Sequence, residues 1–142
     1  MKAGRIFDSW AILAYAYDEP AADQVENLLV EATRLNNAWI SSMNLGEVWY
    51  SLARRKSRDM ANQQLTVLAE IGLERVDIDW PMVLQAADYK SRHNISYADA
   101  FAAALAKQRN AELVTGDREF SALESEIKIH WLKRFHRAKR LD

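Results

Sequence analysis

The sequence predicts an α/β protein in which a parallel sheet carries helices on both faces. Short apolar runs of strand length alternate with longer segments whose apolar residues recur every three or four positions, as on one face of a helix. Such alternation is typical of parallel sheets, because a helix must return the chain to the starting edge. The 142 residues contain no repeat or linker, and glycine and proline occur only singly, so we expect one domain over residues 1–142.

The first half of the chain begins with a short apolar strand at 6–7, which ends at Asp8. A helical run follows at 12–15, and a second helix opens at Pro20, a residue favoured in the first turn. The second strand is 38–40. The helices on either side of it have apolar stripes, formed by Ala21, Val25, Leu28, Leu29 and Ala32 before it and by Leu45, Val48, Trp49 and Leu52 after it.

The second half of the chain continues the alternation of helices and strands. Periodicity places Trp49 and Trp80 in the core, where large aromatic rings usually pack. Ligand sites in such a sheet lie beyond the carboxyl ends of the strands. The predicted elements are, in order, a helix at 60–71 that stops at Gly72, a strand at 73–78, a helix beginning at Pro81, a helix at 97–107 capped by Ser96, and strands at 113–115 and 127–129.

Composition excludes several classes of function. Lysine and arginine number 19 against 20 aspartate and glutamate, a net charge of -1, so contact with nucleic acid depends on local patches. The absence of cysteine excludes disulfides, thiolate catalysis and cysteine-ligated metal sites, which leaves carboxylates and three histidines as ligands. Asp8 interrupts the first apolar run, so we expect neither a signal peptide nor a membrane span, and we expect a cytoplasmic protein.

Four acidic residues stand out by their positions. Asp8 follows the first strand, and Asp117 follows the strand at 113–115. Glu47 and Asp99 lie near the starts of helices, and a parallel topology can bring all four to one edge of the sheet. Carboxylates at short range oppose each other's ionisation unless a cation lies between them. Mg²⁺ and Mn²⁺ prefer oxygen ligands, so the set predicts a metal site suited to hydrolysis of a phosphodiester.

Each acid also has a purely structural interpretation, and the sequence leaves these alternatives open. Asp99 stands three residues after Ser96, the spacing of a capping box that satisfies amide groups at a helix start. Asp117 follows Gly116 as a turn residue does. On one helix a polar stripe flanks the apolar one, and its members are Asn44, Glu47 and Ser51. The prediction of a metal site therefore depends on the four acids together.

Four segments resemble the successive motifs of the PIN-domain family, in particular those of VapC-type toxin ribonucleases. They are RIFDS at 5–9, NLGEV at 44–48, SYADAF at 96–101 and LVTGDREF at 113–120. The resemblance covers a core of roughly residues 6–132, followed by a basic tail at 133–142. It implies an α/β/α sandwich around a parallel sheet of about five strands. It also implies a Mg²⁺-dependent endoribonuclease, with Mn²⁺ able to substitute, that acts as the toxin of a toxin–antitoxin pair.

Carried over residue by residue, the resemblance also implies site residues and partners. Ser9 and Thr115 match the family's hydroxyl positions near the metal, although such hydroxyls commonly cap neighbouring backbone. Trp10 departs from the pattern, because a smaller or more polar residue is expected beside the first acid. The implied partners are an RNA substrate, a cognate antitoxin protein and a second copy in a homodimer. The implied catalytic residues and metal ligands are Asp8, Glu47, Asp99 and Asp117.

Two basic segments offer the local phosphate contacts that the net charge does not provide. One is the run at 54–56 together with Arg58, and the other is the tail at 133–142. We expect the tail to hold RNA phosphates, with ordinary solvated charges as the alternative. The basic residues of the tail are Lys133, Arg134, Arg137, Lys139 and Arg140, with Phe135 and His136 among them.

Two other functions compete with the nuclease. A receiver-like signalling domain also places acids at strand ends and accepts a phosphoryl group there. Receivers pair two adjacent acids after the first strand, whereas this chain has Asp8 followed by Ser9. A PIN fold kept only as a non-catalytic RNA-binding module is the third hypothesis. The complete set of acids argues against it, since degenerate members of the family usually lose ligands.

Overall fold

The structure, a computed structural model, describes residues 3–133. Its strands are β1 (Arg5–Phe7), β2 (Ala38–Ser41), β3 (Glu74–Val76), β4 (Glu112–Thr115) and β5 (Lys128–Trp131). They form one parallel sheet in the order β3-β2-β1-β4-β5. The helices are α1 (Ser9–Ala16), α2 (Ala22–Arg34), α3 (Ser42–Arg55), α4 (Arg58–Glu70), α5 (Trp80–Arg92) and α6 (Tyr97–Arg109), and a 3₁₀ helix (Arg118–Leu123) lies between β4 and β5. The predicted fold class and strand number are confirmed.

Helices cover both faces of the sheet, as in the implied α/β/α sandwich. α5 and α6 pack on one face, and α1, α2, α3 and α4 pack on the other. Neighbouring residues of a strand point to opposite faces, so in β1 Ile6 lies in the α5–α6 core and Phe7 lies in the other. Leu113 and Val114 of β4 divide in the same way. All four side chains are fully buried, so β1 and β4 are covered on both faces.

The strand order reverses between β1 and β4, and this reversal positions the candidate site. From β1 the chain adds β2 and β3 on one side, and it then crosses to add β4 and β5 on the other. Phe7 of β1 is in register with Val114 of β4, so Asp8 and Thr115 come next to each other at the carboxyl ends. A reversal of this kind opens a crevice beyond the strand ends, where ligands of open α/β sheets bind.

The predicted core position of Trp80 is wrong. Its side chain is 67% exposed at the start of α5, and Leu84, one turn later, is 52% exposed. The face of α5 that enters the core carries Met82, Ala86 and Tyr89 instead. α5 therefore has two apolar stripes, and periodicity alone does not tell which of them the neighbouring helix covers.

Smaller differences concern the ends of elements. The second helix begins at Ala22, so Pro20 lies in the preceding turn, where Asp18 has a positive φ of 53°. The strand predicted at 73–78 is shorter, because only the residues of β3 pair with β2. Trp49 is half-buried against the core formed by α1, α2, α3 and α4, in line with its prediction.

Two remaining sequence predictions concern the membrane and the tail. Among residues 3–133 there is no helix with the length and apolar character that a membrane crossing requires. The backbone N–H of Lys133 donates to Gln24 Oε1 at 3.0 Å. The rest of the predicted basic tail, residues 134–142, lies outside the described residues.

Candidate active site

The four predicted acids lie where the carboxyl edge of the sheet meets the starts of helices. Asp8 is the N-cap residue of α1, and Asp117 is the N-cap residue of the 3₁₀ helix. Glu47 is in the second turn of α3, and Asp99 is in the first turn of α6. The 3₁₀ helix adds a fifth acid, Glu119. We call these five side chains the acidic site.

Asp8 is completely buried and is held by two hydrogen bonds. Its Oδ1 accepts from the backbone N–H of Ala11 at 2.8 Å, and its Oδ2 accepts from the Thr115 hydroxyl at 2.5 Å. The same hydroxyl accepts from the backbone N–H of Asp117 at 3.0 Å. Burial raises the pKa of Asp8 to about 7, against the lowering effect of these hydrogen bonds, and the charges of Asp117 and Glu47 raise it further.

Glu47 is held in place by one polar group from α1 and one from its own helix, α3. Ser9 Oγ donates to Glu47 Oε1 at 2.6 Å. Asn44 Nδ2 lies 3.5 Å from the same oxygen and donates to the Ala98 carbonyl at 3.1 Å, beside Asp99. Asn44 has no exposed surface, and it ties α3 to the start of α6. The sequence pattern grouped Asn44 with Glu47 but did not assign it to the site.

The capping box predicted at Asp99 forms only in part. Ser96 Oγ accepts from the backbone N–H of Asp99 at 3.1 Å, so the helix is capped as expected. The reciprocal bond is different, because the backbone N–H of Ser96 donates to Glu119 Oε1 at 3.3 Å. The carboxyl group of Asp99 is therefore not used as a cap and faces the other acids instead.

Three members of the acidic site come together within the reach of one ion. Asp99, Asp117 and Glu119 each place an oxygen within 4.8 Å of the other two. Asp8 and Glu47 lie outside this group of three, although the charge of Asp8 acts on Asp99. Asp117 also fulfils its predicted turn role, since its Oδ1 accepts from the backbone N–H of Glu119 at 3.0 Å. Glu119 belongs to the LVTGDREF segment, two residues after Asp117, but the sequence pattern did not assign it to the site.

The electrostatics of this group favour a bound cation. Burial raises the pKa of Asp99 to about 9, and its hydrogen bond with Glu119 and the charges of Asp117 and Asp8 raise it further. The same hydrogen bond lowers the pKa of the exposed Glu119, so Asp99 keeps the shared proton. Among residues 3–133 no salt bridge joins the acidic site to a basic side chain. The charge of Lys90 acts on Glu119 without forming a salt bridge. Clustered oxygen donors that have no salt-bridge partner fit a hard divalent cation.

Trp10, whose bulk is unexpected beside the first acid, packs on the turn that carries Asp117. A Cβ atom built on Gly116 would lie 2.4–2.8 Å from three atoms of the Trp10 ring, closer than any real contact. Only glycine fits under this ring. The indole thus covers the backbone between Thr115, which holds Asp8, and Asp117, which is a member of the acidic site.

Solved structures share this fold. VapBC2 from Rickettsia felis, bound to a promoter DNA fragment, aligns with a TM-score of 0.71 at 18% identity over 91% of this chain and 98% of that chain. Mycobacterium tuberculosis VapC20, described as a toxin that cleaves the sarcin-ricin loop, aligns with a TM-score of 0.70 at 19% identity over 87% and 96%. DNA-bound VapBC from Salmonella typhimurium gives 0.67 at 20% identity over 91% and 98%. No curated protein matches the chain in sequence.

The sequence itself matches a family model. The model is that of the PIN domain, and it matches residues 5–126. This range contains β1, the reversal point of the sheet and all five members of the acidic site. The chain belongs to the PIN domain family.

Proposed function

We propose that this protein is a metal-dependent endoribonuclease that hydrolyses RNA phosphodiesters as the toxin of a toxin–antitoxin pair. One observation carries the proposal: five carboxylates of a PIN domain lie together at the reversal point of the sheet, and among residues 3–133 none of them forms a salt bridge with a basic side chain. Such a site repels a phosphodiester until cations offset its charge. The same fold in VapC20, described as a toxin that cleaves the sarcin-ricin loop, supports this proposal.

Asp99, Asp117 and Glu119 are the residues that would hold a divalent cation, because their oxygens already lie within 4.8 Å of each other. Asp8 and Glu47 add negative charge beside them and complete the proposed ligand set. Mg²⁺ is the proposed ion and Mn²⁺ can substitute, since both prefer oxygen ligands. A bound cation of this kind lowers the pKa of water and offsets the charge of the phosphate.

The polar groups around the acids fix their positions before RNA arrives. Thr115 holds Asp8 through a short hydrogen bond to Oδ2, and Ser9 holds Glu47 Oε1. Asn44 fixes the distance between α3 and the helix that carries Asp99. Carboxylates held in this way need little rearrangement when the reaction begins, which is how preorganised sites lower a barrier. Ser9 and Thr115 are thus proposed as supporting residues.

The proposal includes the partners that the family resemblance implied. They are an RNA substrate, a cognate antitoxin protein and a second copy of the chain. The R. felis and S. typhimurium structures are described as VapBC, the name of a family of toxin–antitoxin systems. We further propose that the chain acts in the cytoplasm, where its RNA would be found, and that residues 1–142 form one domain with a core of about 6–132.

RNA cleavage by the purified protein tests the proposal. We expect cleavage of single-stranded or loop RNA with Mg²⁺ or Mn²⁺, and none in excess EDTA. Asp99→Asn should lower the cleavage rate by more than about 100-fold. Mutation of a group that only hydrogen-bonds to a metal ligand already lowers activity by roughly 10- to 100-fold, and Asp99 is a proposed ligand itself. Asp77→Asn, at an exposed salt bridge with Arg75, is the matched control and should cleave normally. Robust cleavage by homogeneous, metal-free protein would overturn the proposal.

Growth of an expressing host tests the toxin role separately. The wild-type chain should arrest growth, and Asp99→Asn should relieve the arrest at equal protein level. The receiver-like alternative has no support, because the family model that matches is the PIN domain. A folded wild-type protein that binds RNA without cleaving it under any metal would favour the non-catalytic module.

A further inference from the structure

A cluster of basic side chains lies where α3 ends and α4 begins. Arg54 and Arg55 end α3, and Arg58 begins α4. Lys56 lies between the helices, and all four side chains are exposed. None of the four takes part in a salt bridge within residues 3–133, whereas Arg5 and other arginines do. Their charge is therefore available to a ligand.

The three arginines of this cluster are stacked on aromatic rings. The guanidinium carbon of Arg55 lies 3.8 Å from the Tyr17 ring centre, and that of Arg54 lies 5.2 Å from the Tyr50 ring centre. The Arg58 guanidinium lies 5.2 Å from the Trp49 ring centre. We call these seven residues the arginine–aromatic patch: Arg54, Arg55, Lys56, Arg58, Tyr17, Trp49 and Tyr50.

Two of the three rings of the patch are themselves held in place by hydrogen bonds. Trp49 Nε1 donates to Asn62 Oδ1 at 2.8 Å, and the Tyr17 hydroxyl donates to the Ser51 carbonyl at 3.3 Å. A guanidinium that stacks on a fixed ring keeps the donors along its edge available for hydrogen bonds. It also loses less rotamer freedom when it binds a phosphate, because the planar group is already oriented.

The patch continues from the acidic site along one face of α3. Glu47, Tyr50 and Arg54 are spaced by three and four residues, so they lie above one another on the helix surface. The rise from Glu47 to Arg54 is about 10 Å. A polymer that enters the acidic site can therefore reach the patch, whereas a small anion would contact only one of the two.

We propose that the arginine–aromatic patch binds backbone phosphates of the single-stranded RNA segment that flanks the cleaved bond. This inference rests on the proposed nuclease function, because it takes its ligand from that function. The net charge of -1 and the acidic site give no general attraction for RNA, so a local group of free cations supplies it. Exposed Tyr50 adds an aromatic surface of the kind that single-strand-binding sites use.

Salt-dependent RNA binding tests the proposal. A short fluorescein-labelled single-stranded RNA is titrated with Asp8→Asn protein, so that it stays whole, and anisotropy is measured from about 50 to 200 mM salt. The triple variant Arg54→Gln, Arg55→Gln and Arg58→Gln should reduce the slope of log affinity against log salt by about 2, at about 0.7 for each lost contact. The corresponding triple lysine variant should keep the slope, because it keeps the charges.

A second triple variant is the matched control. Lys107, Arg109 and Lys128 lie near the amino ends of β4 and β5, away from the acidic site, and Arg109 also stacks on a ring, that of Trp39. Changing these three residues to glutamine removes the same charge and should leave the slope unchanged. Circular dichroism of every variant checks that a reduced salt dependence does not result from unfolding.

The outcomes separate this proposal from the nuclease function. A wild-type protein that cleaves RNA, with equal slopes in the patch and control variants, overturns the patch and leaves the nuclease standing. A patch-dependent slope in a protein that never cleaves RNA supports the patch and overturns the nuclease. If the patch variant keeps RNA binding but loses binding to polyglutamate, the patch serves an acidic protein partner and the proposal is wrong.

Discussion

The hydroxyl group of Thr115 connects two members of the acidic site. It donates to Asp8 Oδ2 at 2.5 Å and accepts from the backbone N–H of Asp117 at 3.0 Å. It therefore fixes both the acid that follows β1 and the acid that follows β4. Thr115 is fully buried, so no water replaces either bond if the hydroxyl is removed.

Replacing Thr115 by valine should weaken both the fold and the catalysis. Valine keeps the shape but leaves the buried carboxylate oxygen of Asp8 and the partly buried N–H of Asp117 without partners, at a cost of about 1–3 kcal/mol in the free energy of unfolding. The cleavage rate should fall by roughly 10- to 100-fold, as for other groups that orient metal ligands. Thr115→Ser should restore most of both. Thr66→Val on the exposed side of α4 is the control, and a similar loss there would refute a specific role for Thr115.

Burial of Asp8 predicts a pH dependence of the metal-free protein. The folded-state pKa of about 7 exceeds the ordinary value of 3.8, so the folded state holds the proton more tightly. The contribution of Asp8 to the free energy of unfolding is then largest below pH 4 and falls as the pH rises towards 7, by about 4 kcal/mol at roughly 1.4 kcal/mol per unit. The raised pKa of Asp99 extends the decline towards pH 9.

Urea unfolding in EDTA across this pH range measures the effect. Asp8→Asn removes the titrating group while its amide can still bond Thr115 and the backbone, so its curve should be flatter between pH 4 and 7. Asp77→Asn should follow the wild type. Equal slopes for wild type and Asp8→Asn would contradict the burial argument. The lowered pKa of Glu119 acts only below its ordinary value and does not reverse this trend.

The sequence predicts those site residues that directly follow a strand, because the end of a strand has a known place in a parallel sheet. Asp8 and Asp117 follow apolar strands, so parallel topology alone brings them to one edge. The sequence does not predict Glu119 or Asn44 as site residues, because their partners lie on other elements. Glu119 accepts from the backbone N–H of Ser96, and Asn44 donates to the Ala98 carbonyl. Neither contact has a signature in local spacing.

At the scale of elements, the turn after β4 is built around the contact between Trp10 and Gly116. The start of α1, through the Trp10 ring, therefore packs directly against the backbone between Thr115 and Asp117. In contrast, Gly46 lies on the exposed side of α3, with nothing within 4 Å of a Cβ atom. The two glycines are a matched pair, one enclosed and one free.

Gly116→Ala should destabilise the protein by about 1–3 kcal/mol, the usual cost of overpacking. It should also lower metal affinity, because the turn that carries Asp117 must shift. Gly46→Ala should instead raise stability by about 0.5–1 kcal/mol, since alanine suits a helix interior better. Chemical unfolding and metal titration give both quantities. Trp10→Phe should recover part of the loss in Gly116→Ala, and a fully additive double variant would argue against the contact.

Predictions of helix caps and helix ends are confirmed where they depend only on nearby residues in the sequence. They are wrong where contacts with another element determine the outcome. Ser96 caps α6 and Gly72 ends α4 with a φ of 106°, both as predicted. Trp80, which periodicity predicts in the core, lies with Leu84 on the exposed stripe of α5, because α6 covers the other stripe. The capping box at Asp99 failed for the same reason, since Glu119 from another element takes the bond.

At the scale of the molecule, the fold places negative charge at the carboxyl edge of the sheet, where no salt bridge within residues 3–133 offsets it. Two apolar cores hold the strands and helices that carry the acidic site, so the site cannot relax apart. The packing of these cores therefore offsets the free-energy cost of burying the acids and of their mutual repulsion. A cation that binds only the folded state should return part of that free energy to the whole molecule.

Mg²⁺ should accordingly stabilise the folded protein, and the effect should depend on pH. An ion at about 100 times its dissociation constant adds about 2.7 kcal/mol to the free energy of unfolding. Protons compete with the ion for Asp8 and Asp99, so the stabilisation at fixed Mg²⁺ should be larger at pH 8 than at pH 6. Thermal unfolding with Mg²⁺ or with EDTA at both pH values measures it. Asp99→Asn should lose most of the increase, whereas Asp77→Asn should keep it. An equal increase in Asp99→Asn would place the ion elsewhere and separate the acidic site from metal binding.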